Sequence, residues 1–109
     1  MDNVKTDNNI KSLQHFTIIC NTKDTDKMVK MLSENGAHGI SIRYGHGSVK
    51  QGYFAQALGL EIESKKAIIT SLMLTEKATE VIEILRTKYD FTKANTGIAY
   101  GVPVQGLLF

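Results

Sequence analysis

The chain has 109 residues, enough for one domain with a hydrophobic core, yet small enough for an oligomer interface to supply much of the burial. Charged residues make up 22% with a formal net charge of +2 and no block of like charges, which speaks against nucleic acid as a partner. A single cysteine, Cys20, excludes an internal disulfide framework and a Cys-x-x-Cys metal site, and the longest apolar run (residues 98–104) contains Gly101 and Pro103 and is too short to cross a bilayer.

Residues 1–12 are polar, with little to bury and no apolar stretch of the signal-peptide kind, so they are expected to form a mobile arm on a cytoplasmic protein. One domain is expected over residues 13–109. Residues 13–21 alternate, with Phe16, Ile18 and Cys20 on one face and Thr17, Ile19 and Asn21 on the other, which predicts a strand. Residues 22–25 supply turn and N-cap chemistry, and Asp24 and Asp26 suit the positive end of a helix. Met28, Val29, Met31 and Leu32 form the apolar stripe of that helix, and Asn35-Gly36 ends it, glycine taking the left-handed conformation without strain.

Residues 39–44 predict a second strand. Residues 66–74 predict a third with both faces partly apolar, Ile68, Leu72 and Leu74 on one and Ala67, Ile69 and Met73 on the other. Thr75 is expected to cap a second helix whose inner positions are Ala78, Val81, Ile82 and Leu85. Residues 98–104 predict a fourth strand, with Pro103 marking an edge or an end. The order β-α-β, loop, β-α-β is the split βαβ pattern. It predicts an α+β ferredoxin-like domain, a four-stranded antiparallel sheet with two helices on one face and a long loop between strands 2 and 3. Two helices cover one side of such a sheet. The apolar residues expected on the other side, Ile19, Ile69 and Met73 among them, call for a cover supplied by an oligomer.

Candidate chemistry is sparse. His15, His38 and His46 fall in three segments without metal-ligand spacing, and no nucleophile elbow, zinc-protease helix or P-loop is present, so no enzyme and no metal site are expected. What remains are two glycine turns. Gly45-His46-Gly47-Ser48 opens the long connector (residues 44–65), which also carries Tyr53 and Phe54; Asn95-Thr96-Gly97, with Lys93 nearby, precedes the fourth strand. Both are ordinary turn sequences, and both allow backbone N–H groups to approach an anion. They are expected to approach each other in space.

The run Gly36-Ala37-His38-Gly39-Ile40-Ser41-Ile42, then Gly45-His46-Gly47-Ser48, Leu58-Gly59-Leu60-Glu61-Ile62-Glu63 and finally Thr96-Gly97-Ile98-Ala99-Tyr100-Gly101-Val102-Pro103-Val104 resembles the PII-like signal-transduction proteins. The resemblance spans roughly residues 16–107. It implies a homotrimer with the sheets lining its centre and a small-molecule effector between subunits, an adenine nucleotide (ATP, ADP, AMP or a cyclic form). It also implies a loop that signals to a membrane transporter or a metabolic enzyme, with no nucleic acid and no insertion in the membrane. Residue by residue, it assigns nucleotide contacts to Ser41, Gly45, Gly47 and Ser48, to Lys65 or Lys66 after the loop, and to Thr96, Gly97 and Ile98. The nitrogen-regulatory branch of the family has Gly-Asp-Gly-Lys where this chain has Asn95-Thr96-Gly97-Ile98, and an arginine and glutamine where it has Ser48 and Val49. Without those cations a triphosphate would be held mainly by backbone N–H groups. The alternative on the same trimer frame is a module that binds an amino acid or a divalent metal.

Overall fold

The computed structural model describes residues 12–46, 65–93 and 96–106. β1 (Leu13–Asn21) pairs antiparallel on both sides, with β3 (Lys65–Leu74) and with β4 (Gly97–Pro103). β2 (His38–His46) adds to the far side of β3, giving the sheet order β2-β3-β1-β4 with β2 and β4 as edges. A short 3-10 turn (Thr22–Asp24) leads from β1 into α1 (Thr25–Glu34), and β3 runs directly into α2 (Thr75–Lys88). This is the ferredoxin-like α+β arrangement that the order of elements predicts. The expected arm (residues 1–11 of it), Tyr53, Phe54 and most of the connector lie outside the described residues. Among those residues no helix is long and apolar enough to cross a membrane.

Cross-strand register decides which side chains share a face. Ile18 stands opposite Ile69, Phe16 opposite Ser71 and Cys20 opposite Ala67, so all six point the same way. Phe16, Ile18, Cys20, Ala67, Ile69 and Met73 form one cluster with Met28, Met31 and Leu32 of α1 and Ala78, Val81 and Leu85 of α2. Both helices therefore cover one side of the sheet. Ile69 and Met73 are fully buried there, which corrects their expected place on the open side. The open side instead carries Ile19, Ile68 and Leu72, with Tyr100 and Val102 exposed on β4. Alternation cannot choose between two apolar faces, whereas the small Ala67 and Ser71, alternating with Ile69 and Met73, leave room for helices.

The ends of the helices differ from expectation in their chemistry. Thr75 is the first residue of α2 rather than its cap, and no side chain caps that turn; its backbone N–H donates to the Ser12 carbonyl, so a tertiary contact replaces the cap. At α1 the capping position falls on Asp24, whose carboxylate pairs with Lys27 at 3.3 Å, while the Thr25 hydroxyl donates to the Thr22 carbonyl at 2.8 Å. The C-terminus of α1 is as expected: Gly36 takes φ +82°, and the Ala37 N–H donates to the Leu32 carbonyl at 3.0 Å.

Ser71 and Cys20 place polar groups on the buried face of the sheet. Ser71 Oγ is buried with no hydrogen-bond partner among the described residues. Ser71→Ala removes that desolvated hydroxyl and is expected to raise stability by about 1 kcal/mol, seen as a melting temperature several degrees higher. The Cys20 thiol is pushed up from 9.0 to about 11, by burial first and by the Asp24 carboxylate second, with the Lys66 ammonium pulling the other way. The folded chain therefore holds this proton more tightly than the unfolded one. Stability is expected to be unaffected by Cys20 below pH 9 and to fall between pH 9 and 11, by on the order of 2 kcal/mol. Urea midpoints of the wild type and of Cys20→Ala at pH 8 and pH 11 isolate this contribution.

Candidate functional site

Three of the candidate residues lie along one end of the sheet. Gly45 on β2 stands opposite Lys66 on β3, and Lys66 opposite Asn21 on β1; Gly97, opposite Cys20, begins β4 one position further in. Gly45 and Gly97 thus share an end of the sheet but occupy its opposite edges. Three strand spacings separate them, about 14 Å. Gly45 and Gly97, the described glycines of the two turns, do not approach each other within one chain, because β3 and β1 lie between them.

Alternation also divides the two lysines. Lys66 is on the open face and only 8% exposed, its Nζ donating to Asn21 Oδ1 at 2.8 Å. Lys65 is exposed on the helix face, where with Thr22, Tyr44 and Gly45 it lines a cleft of about 370 Å³. Among the described residues Lys65 has no ion-pair partner, while Lys66 is tied into the sheet. Among the described residues nothing lies within 4 Å of where a Cβ on Gly45 would sit, on the open face with Lys66.

A second cleft, about 330 Å³, lies along the β4 edge between Ile82, Leu85 and Arg86 of α2, the turn at Phe91 and Thr92, and Gly97, Ile98 and Ala99. Ile82, expected to face inward, is 39% exposed and forms part of this wall, since a sheet ending at β4 has no further strand to cover it. Arg86 donates to Glu83 at 2.6 Å. Asp90, with φ 58°, turns the chain out of α2, the Phe91 N–H donates back to the Leu85 carbonyl at 3.0 Å, and the Phe91 ring lies over Gly97. A Cβ on Gly97 would stand 2.6 Å from Phe91 Cζ and 2.9 Å from the Ile19 carbonyl oxygen. Gly97 is therefore required by close packing.

The candidate residues fall into three groups. Gly45 and Lys65 line the β2-edge cleft, Gly97 and Ile98 the β4-edge cleft with Thr96 just before them, and Ser41 and Lys66 lie on the open face, Ser41 opposite Thr70. Gly47 and Ser48 lie outside the described residues, as do Asn95 and residues 107–109. Sequence reading misses Thr22, Tyr44, Arg86 and Phe91 as cleft-lining residues, and Asn21 as the partner of Lys66. Asn21 lies 45 positions from Lys66 and only the register joins them; for Tyr44 the signal present was an aromatic beside a loop glycine. Among the described residues no group of three or more His, Cys, Asp or Glu is placed to hold a metal ion.

This frame, with its long β2–β3 connection, is the fold of the PII-like signalling proteins. A PII-like signalling protein from Thermus thermophilus matches with TM-score 0.61 at 21% identity, over 83% of this chain and 84% of that one. CPII from Thiomonas intermedia, in a structure bound to ADP, AMP and acetate, matches with TM-score 0.62 at 15% identity, over 82% of each chain. The apo form of that nitrogen regulatory PII-like protein matches with TM-score 0.58 at 16% identity, over 83% of this chain and 86% of that one. No family model matches the sequence, and no curated protein matches it.

Proposed function

We propose that this chain is a PII-like regulatory protein, without catalytic activity, that forms a homotrimer and binds an adenine nucleotide in clefts between subunits. The observation that carries this reading is the division of the site: two half-clefts, each with a glycine backbone and a cation, at the same end of the sheet but on opposite edges. A half-cleft at the β2 edge of one copy meets the β4-edge half-cleft of the next when copies join edge to edge around an axis. The open face, with Ile19, Ile68, Leu72, Tyr100 and Val102, then turns inward and is covered. CPII, bound to ADP and AMP on the same fold, supports the choice of ligand. Residues 44–65, which leave and re-enter the sheet beside Gly45 and Lys65, would report occupancy to a transporter or metabolic enzyme by a shift between conformations.

Thermal melting against ATP, ADP, AMP and cyclic adenine nucleotides tests the reading, with amino acids and divalent metals as comparison. An adenine nucleotide at about a hundred times its dissociation constant is expected to add roughly 2.7 kcal/mol, a plain upward shift. Light scattering is expected to give three times the 12.1 kDa chain mass. A response only to an amino acid or a metal would replace the nucleotide reading with that alternative.

A further inference from the structure

The side chain that the fold leaves least explained is Tyr44. It lies on the helix side of the sheet, opposite Ala67, yet it is 65% exposed. α1 packs on β1 and β3, so the last residues of β2 extend beyond the cover that the helices give. Ile42, on the same face, is also exposed. An aromatic ring normally supplies a large buried area, and here it lines an open cleft instead.

The rest of the lining is polar and of one sign. Lys65 brings an ammonium group with no carboxylate partner among the described residues, Thr22 a hydroxyl, and Gly45 a stretch of backbone. The Asp24 carboxylate, at the end of the adjoining 3-10 turn, is engaged by Lys27. At about 370 Å³ the cleft falls in the range of small-ligand sites. A flat face beside an unpaired cation suits a flat ring that carries an anion.

We propose that Tyr44 is the base-recognition residue of this half-cleft: its ring stacks on the heterocycle of a nucleotide while Lys65 and Thr22 meet the phosphate. This rests on the nucleotide reading above and assigns a specificity role within it. Stacking tolerates Phe in place of Tyr and does not tolerate Ala, which separates it from a hydrogen bond by the phenol.

ADP and AMP are titrated calorimetrically into the wild type, Tyr44→Phe, Tyr44→Ala and Lys65→Gln, with the mass of each measured by light scattering. Tyr44→Phe is expected to bind within about twofold of the wild type, and Tyr44→Ala and Lys65→Gln each about tenfold more weakly at unchanged mass. The chain contains no tryptophan, so Tyr44→Trp provides a single emitter whose fluorescence ADP is expected to quench. If the wild type binds ADP and Tyr44→Ala binds it equally well, the proposal is overturned and the nucleotide reading stands. A Tyr44→Ala chain that loses its assembled mass but keeps its affinity makes Tyr44 an intersubunit contact and also overturns the proposal. If neither nucleotide binds the wild type, the nucleotide reading itself fails and the proposal with it.

Discussion

Gly97→Ala is expected to lower the melting temperature by roughly 10 °C. Its methyl group would enter a space already held by the Phe91 ring, at 2.6 and 2.7 Å, and by the Ile19 carbonyl oxygen at 2.9 Å. The ring can move, but the oxygen is part of the β1 backbone, which pairs with β4 at this position. Overpacking of this kind costs about 1–3 kcal/mol, a large share of the stability of a small domain. Phe91→Leu in the same chain removes the aromatic obstacle and leaves the backbone one, so the double variant is expected to regain part of the loss. Equal melting temperatures for the single and double variants would mean that the ring is not the obstacle. Urea denaturation followed by circular dichroism reads both.

Asn21→Ala is expected to destabilise by about 1.5–3 kcal/mol, because it deprives a buried ammonium group of its described acceptor. Lys66 sits on the open face among neighbours that give it little water, and its Nζ reaches Asn21 Oδ1 at 2.8 Å. Removing the donor as well should undo most of the damage. The double variant Asn21→Ala/Lys66→Met is therefore expected to be more stable than Asn21→Ala alone, the coupling being the mark of a direct pair. Additive losses would instead mean that Lys66 finds its acceptor elsewhere or extends to solvent. Ligand affinity is expected to be little changed in either variant, in contrast to Lys65→Gln.

Much of the frame could be read from residue order. The alternation of residues 13–21 matches β1 from end to end, and Asn35-Gly36 marks the end of α1 through glycine's left-handed turn. The long connection between the middle strands, with helices after strands 1 and 3, leaves few arrangements other than the split βαβ fold. The phase of β3 was not legible, since Ile68 and Leu72 compete with Ile69 and Met73 and only the pairing of Ile69 with Ile18 breaks the tie. The candidate site was legible as glycines and lysines but not as geometry. Whether Lys65 or Lys66 meets a ligand depends on one step of strand parity, and the distance between Gly45 and Gly97 depends on the order in which strands lie side by side. Neither is written locally in the chain. Arg86 and Phe91 contribute through the β4 edge, where helix end and strand start come together only in the folded sheet.

The bulge in β2 gives Gly39 an influence well beyond its own position. His38 pairs with Leu72 and Ser41 with Thr70, so β2 spends three steps where β3 spends two. Gly39 absorbs the surplus at φ +60°, a backbone state that other residues enter only with strain. Were that residue forced to extend, every side chain after it would change sides: Tyr44 would turn to the open face and Arg43 would stand over the cleft. Gly39 thus works as a reading-frame marker for the strand. A position five residues upstream, touching no ligand, decides whether the pocket offers an aromatic ring or a guanidinium, so related chains could exchange one ligand chemistry for another through a slip in this strand, with the residues of the pocket themselves unaltered.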